Sequence, residues 1–334
     1  MEKVQRRTWL KTSIIIMTIM VVIAGSVWIF GPREPASLAL SQHHLDENID
    51  IDEYLSAANA RYDDIITGVE KQVIWAGKQG QKTPLSLIYL HGFSASAMEL
   101  RPVPDNIAAA LGANLYFTRL TGHGRGPHAM TDATIAKWMG DLSEALAIGR
   151  RIGQQTIIIA TSTGGTLAAA AALDPASMQG VGGIVFVSPN FAINNAAAGL
   201  LTWPFARHWV PLIVGPQQEN TPRNALHGKY WATSYPTTAL MPMAALVEAV
   251  AAQDFSKVET PALFYYSPDD QVVVAQKTAA IAQNWGGPVQ VKTPRMSADD
   301  DPFSHLIAGD IVSPGQTDPA VAAMVAWIKS NVAQ

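Results

Sequence analysis

Along this chain, short apolar runs rich in β-branched and aromatic residues alternate with longer stretches of helical period. The runs at 72–75, 85–90, 114–120, 156–160, 183–188, 262–266 and 289–293 predict strands. The stretches at 104–111, 134–152, 165–173, 272–285 and 318–332 predict helices. Most of the strand runs are apolar at successive positions, so both of their faces are expected to be buried. Repetition of strand and helix then implies an α/β fold, a mostly parallel sheet covered by helices on both faces. The rhythm breaks between about 188 and 262, where Trp203, Phe205, Trp209, Tyr230, Trp231, Tyr235, Met241 and Met243 fall without a sheet strand. A connection of that length needs structure of its own. It is expected to be a cap at about 190–258, set over the strands' C-terminal edge, where open α/β sheets bind ligands.

A second break lies at the N-terminus. Residues 13–30, SIIIMTIMVVIAGSVWIF, carry no charge and are long enough as a helix to cross the hydrocarbon of a bilayer. Lys3, Arg6, Arg7 and Lys11 precede the run, whereas Arg33 and Glu34 cancel after it, so residues 1–12 are expected in the cytoplasm and the remainder on the exported side. A cleaved signal peptide with Val22-Ile23-Ala24 at the cleavage site is the alternative, which would release the protein by secretion. Val27-Trp28-Ile29-Phe30 prolongs the apolar run past that site and favours an anchor. Residues 31–50 are largely polar, with Pro32, Pro35, His43 and His44, and are expected to form a solvated tether. The α/β domain, 51–334, then opens on a helix with Tyr54, Leu55, Ala58, Tyr62 and Ile65 on one side.

Composition narrows the chemistry. Hydrophobic residues make up 48% of the 334 and charged residues 15%, enough for one well-buried α/β domain with an insertion. A net charge of -4 offers no basic stripe for nucleic acid. The absence of cysteine excludes disulfides, thiolate metal sites and a thiol nucleophile.

Ala160-Thr161-Ser162-Thr163-Gly164-Gly165 joins a β-branched strand directly to a small-residue helix. A tight strand-to-helix corner exposes a serine hydroxyl as a nucleophile, and it needs small residues two places before and after the serine. Gly164 fits, and Ala160 departs from the usual glycine by one methyl group. Ser162 then needs a base, and His305 lies in Asp301-Pro302-Phe303-Ser304-His305, after the last strand and before the final helix. A carboxylate must hold that imidazole, and the strand at 262–266 runs into Ser267-Pro268-Asp269-Asp270. Asp270 is preferred, with Asp269 as a solvated turn residue. Asp299, Asp300 and Asp301 read as an exposed acidic turn rather than a calcium site. Two backbone N–H groups would hold an oxyanion: Thr163, at the start of the helix, and Phe93, in His91-Gly92-Phe93 after the strand at 85–90. Thr121-Gly122-His123-Gly124-Arg125-Gly126 lacks the spacing of a phosphate loop and reads as a tight structural loop.

Taken together, LIYLHGFSAS, TRLTGHGRG, IIIATSTGG, YYSPDDQVV and DPFSHLIAG resemble the serine α/β-hydrolase family, especially bacterial carboxylesterases and monoacylglycerol lipase or lysophospholipase-like members. The resemblance runs from about Leu85 to the C-terminus. It implies the α/β-hydrolase fold with a cap and the triad Ser162, Asp270 and His305. It also implies an oxyanion hole at Phe93 and Thr163, and hydrolysis of an acyl ester or single-chain lipid with no cofactor and no metal. Peptidase or acyltransferase chemistry with the same triad, and a non-catalytic binding protein on the same fold, are the alternatives.

Overall fold

The computed structural model describes residues 2–46 and 48–332. Helix α1 (Glu2–Phe30) precedes α2 (Ile51–Asn59), β1 (Gln72–Ile74), β2 (Thr83–Leu90), α3 (Val103–Leu111), β3 (Asn114–Phe117), α4 (Ile135–Ile152), β4 (Gly153–Thr161), α5 (Thr163–Ala172) and β5 (Val181–Val187). The chain continues through α6 (Ala206–Val214), β6 (Gln217–Glu219), α7 (Ala225–Tyr230), β7 (Ser234–Pro236), α8 (Leu240–Ala251), β8 (Ala262–Tyr265), α9 (Ala275–Asn284), β9 (Val289–Lys292) and α10 (Thr317–Asn331).

Seven strands form one sheet in the order β1-β3-β2-β4-β5-β8-β9. Only β1 runs antiparallel to its neighbour; the other neighbouring pairs are parallel. The pleat divides the apolar strands between two cores. Ile88, Leu90, Ile158 and Ala160 face one side with residues of α4, α5 and α8, while Leu87, Tyr89, Ile157 and Ile159 face α3 and α10. The strand order reverses between β2 and β4, so the loops leaving their C-terminal ends flank a crevice. Those loops carry Phe93 and Ser162.

Within 190–258 the chain divides its work. Met243, Leu246, Val247 and Val250 of α8 join the main core beside the sheet, whereas α6, α7 and the β6–β7 ribbon precede it as a separate excursion. Helix α1 contains an apolar stretch, Trp9–Phe30, that is long enough to cross a membrane and is not buried by the rest of the protein. Residues 31–50 differ from the expected free tether. Leu38, Leu40, Leu45 and Ile49 are interspersed among the polar residues and pack on the main core. The His43 N–H donates to Ser143 Oγ at 3.0 Å, and its ring meets the Tyr54 hydroxyl at 3.1 Å. His43 is therefore a part-buried strut rather than a solvated linker residue. Helix α2 starts where Asp50 Oδ1 accepts the N–H groups of Asp52 and Glu53.

Candidate active site

The corner at Ser162 is held open against its own backbone preference. Its φ of 51° and ψ of -116° lie in a region that a β-carbon disfavours. The strain is over-determined by three hydrogen bonds: Ser162 N–H donates to Val187 O at 3.0 Å, and its carbonyl accepts from Asn190 N and Thr166 N. Gly164 lets the helix approach β2, since a β-carbon there would stand 2.2 Å from Leu90 O. Ala160, the departure from the glycine pattern, is fully buried and its methyl fills the core instead of blocking the turn.

His305 reaches this corner from the loop between β9 and α10. Its Nε2 lies 3.1 Å from Ser162 Oγ, and its Nδ1 lies 2.8 Å from Asp270 Oδ2. The other oxygen, Asp270 Oδ1, accepts the N–H groups of Val272 and Val273 at 2.8 and 2.9 Å. Residues 272–274 pair as extended chain with 192–194, through Asn194 N–H to Val272 O and Val274 N–H to Ala192 O, so α9 starts at Ala275, later than the valine run suggests. Asp269 is exposed and accepts no bond from His305. The structure thus brings Ser162, His305 and Asp270 together and leaves Asp269 out.

The acidic turn before His305 corrects the sequence reading. Asp300 and Asp301 are buried, not exposed. Asp301 Oδ2 accepts from His305 N and Leu306 N, its Oδ1 accepts from Phe303 N, and Arg223 pairs with it at 2.8 Å. This carboxylate is consumed in shaping the histidine loop, while Asp300 Oδ2 accepts from Ser297 N and Gln316 Nε2 and Asp299 stays exposed.

The loop after β2 is braced by His91. Its Nε2 accepts the Leu120 N–H at 3.0 Å, which leaves Nδ1 as the donor to Gly92 O at 2.9 Å. Burial, with His123 beside it, pushes the imidazole down to about 3, so it stays neutral as this pairing requires. His123 of the glycine-rich loop packs on Phe93 and His91, as expected of a structural loop. Among the described residues, neither Phe93 N–H nor Thr163 N–H has a hydrogen-bond acceptor. Both residues line the same cavity of about 550 Å³ as Ser162 and His305. Asn190, Ile193, Met243 and Phe303 add to its walls, and Asn220, Arg223, His227, Trp231 and Tyr235 close it from the excursion.

One residue of this cavity escaped the sequence reading. Glu99 is buried, and its Oε1 accepts the Gly92 N–H at 2.6 Å and the Tyr89 hydroxyl at 2.9 Å. Ser96-Ala97-Met98-Glu99 looks in sequence like a helix-start capping box, and nothing in the spacing turns the carboxylate toward Gly92. Burial pushes Glu99 up to about 7, outweighing the two hydrogen bonds and the nearby His305. Between its ordinary value of 4.5 and about 7, the unfolded chain loses this proton while the folded protein keeps it. Stability is therefore lost as pH rises through that window. Glu99→Gln keeps the acceptor and has no proton to lose, so its melting temperature is expected to gain on the parent from pH 4.5 to 7. The underlying gain in stability should be on the order of a few kcal/mol and level above pH 7, measured by thermal denaturation at each pH. A constant difference across the range would show Glu99 to be ionised throughout.

A serine on a strained strand-to-helix corner, at the reversal point of a doubly covered parallel sheet, defines an α/β-hydrolase. The chain belongs to the Alpha/beta hydrolase family, whose profile matches residues 87–304. No curated protein matches the chain as a whole or in part. Among solved structures, it is similar to the metagenome-derived lipolytic enzymes LipS and LipT, at 18% identity and a TM-score of 0.64, over 80% of this chain and 99% of that one. It is also similar to the monoacylglycerol lipase of Paleococcus ferrophilus, at 14% identity and a TM-score of 0.57, over 78% and 99% of the two chains. A soluble variant of monoglyceride lipase from Saccharomyces cerevisiae matches at 11% identity and a TM-score of 0.58, over 91% and 100%. At these identities the likeness is one of fold.

Proposed function

We propose that this protein is a serine hydrolase that cleaves carboxylic esters, an acyl ester or a single-chain lipid, through Ser162, His305 and Asp270. The observation that carries the reading is the continuous hydrogen-bonded chain from Ser162 Oγ through His305 to Asp270, opening on a cavity. His305 Nε2 takes the hydroxyl proton as Ser162 Oγ attacks the ester carbonyl. The negative charge moves to the carbonyl oxygen, where the unpaired N–H groups of Phe93 and Thr163 stabilise it. As the intermediate collapses, the carbon–oxygen bond to the alcohol breaks and His305 gives its proton to that oxygen. Water, deprotonated by His305, then attacks the acyl-enzyme and releases the acid. None of these steps calls for a metal or cofactor.

The apolar walls formed by Phe93, Ile193, Met243, Val272, Phe303 and Leu306 favour an acyl chain. The names of the similar structures, lipolytic enzymes and monoacylglycerol lipases, support an ester over an amide. We further propose that α1 anchors the protein and that the hydrolase domain lies on the exported side, from the basic residues before the apolar stretch. A series of p-nitrophenyl acyl esters, run beside the matching p-nitroanilides, tests the reaction. Ester turnover with release of free acid is expected, with a rate optimum at an intermediate chain length. Preferential anilide cleavage, acyl transfer to an added alcohol in place of hydrolysis, or ester binding without turnover would each overturn it.

A further inference from the structure

The last turn of α6 presents Leu212, Ile213 and Val214 to solvent at 85%, 72% and 55% exposure, an apolar cluster on a helix that already turns Ala206 and Val210 inward. Contiguous exposed side chains of this kind mark an interaction surface. What they face is set by the other end of the helix, which is fastened to the exit of α1. Trp28 of α1 meets Trp203 edge to face at 5.2 Å, with the Arg33 guanidinium over the Trp28 ring. Arg33 also donates to Trp28 O and Thr202 O, and the Phe205 N–H donates to Pro32 O at 2.8 Å. Arg207, in the first turn of α6, makes two hydrogen bonds to the buried carboxylate of Glu34.

This joint fixes α6 relative to the apolar stretch of α1, which ends at Phe30. Helix α6 is 9 residues long. At about 1.5 Å per residue its last turn stands no more than ~13 Å from its joint with Pro32 and Glu34, just beyond the exit of α1. The interfacial layer, where tryptophans such as Trp28 and Trp203 are favoured, is ~5–8 Å deep on each side of the bilayer, so a helix of this length lying along the surface keeps its last turn within that layer. The excursion that carries α6 also supplies Asn220, Arg223, Trp231 and Tyr235 to the wall of the cavity.

We propose that the last turn of α6 is a second membrane contact, with Leu212, Ile213 and Val214 seated in the phospholipid interface beside the anchor and the cavity wall thereby held against the bilayer. The inference rests on α1 as an anchor and is independent of the reaction at Ser162.

The chain has no cysteine, so single-cysteine variants of the full-length protein can be labelled at one place each. Ile16→Cys in α1, Ile213→Cys in α6 and the exposed control Gln79→Cys are labelled with an environment-sensitive fluorophore. They are then reconstituted into phosphatidylcholine–phosphatidylglycerol vesicles carrying lipids spin-labelled at shallow or deep positions. The label at 213 is expected to shift to the blue, resist aqueous iodide and be quenched by the shallow spin label. The label at 16 should respond to the deep one, and the label at 79 to iodide alone. Lipid quenching at 16 with iodide quenching at 213 overturns the second contact while leaving the anchor. Iodide quenching at 16 overturns the anchor and the inference with it. A blue-shifted label at 213 that no lipid quenches means another copy of the chain covers the turn, which also overturns it. No substrate enters the measurement, so its failure is separate from any failure of the hydrolase reading.

Discussion

Ser162→Ala is expected to lower ester turnover on the order of 10,000-fold or more, with KM little changed and the fold intact. The substitution deletes the one oxygen to which His305 Nε2 is bonded, so the imidazole remains in place with nothing to activate. Residual rate would come from the Phe93 and Thr163 N–H groups acting on a water-driven reaction, which is why the loss is large but finite. Alanine inherits the same positive φ as serine and the same three backbone hydrogen bonds, so the strain at the corner is unchanged and no loss of melting temperature is expected. The measurement is steady-state turnover of a p-nitrophenyl ester beside covalent labelling by a fluorophosphonate. Labelling that persists in Ser162→Ala, or turnover within tenfold of the parent, removes Ser162 from the reaction.

The parts of this site that are legible in sequence are those where local chain geometry and chemistry coincide. A β-branched strand, a serine and a run of alanines specify the corner at Ser162 because the strand, the turn and the helix are contiguous. The loops that carry Phe93, Asp270 and His305 could be placed for the same reason, each following a recognisable strand. Ala160 looked like a flaw in the pattern, yet its side chain points to the core rather than across the turn, so the methyl costs nothing there.

What escaped the sequence depends on where a side chain turns after its backbone is placed. Glu99 and Asp301 are both carboxylates in polar-looking turns, and nothing in their spacing reveals that they fold back onto Gly92 N–H and His305 N–H. The segment 31–50 was hidden for a related reason. Its leucines are too sparse for a helical or strand period, and only tertiary packing shows that they dock on the core. The exposed end of α6 is similar: an apolar turn reads as core until the structure shows what surrounds it.

Asp270→Asn should cost nearly as much as loss of the nucleophile, on the order of 10,000-fold in kcat, whereas Asp269→Asn should leave turnover unchanged. The two residues are neighbours in sequence but not in environment. The Asp270 side chain is 1% exposed, with Oδ1 occupied by the Val272 and Val273 N–H groups and Oδ2 facing His305 Nδ1. An asparagine that keeps its oxygen on the two backbone donors must present its NH2 group to Nδ1. The imidazole then accepts at Nδ1 and carries its hydrogen on Nε2, where it can no longer take the proton of Ser162. The reversed rotamer would set the NH2 group against two N–H donors, leaving buried donors unpaired, so the asparagine has no arrangement that restores the working tautomer. Asp269 has no such constraint: it is exposed and meets only the turn at Ser267. Measured kcat and KM for the pair on one ester decide the assignment. Equal losses in both variants, or a loss under tenfold in Asp270→Asn with an unaltered melting temperature, would remove Asp270 as the group that orients His305.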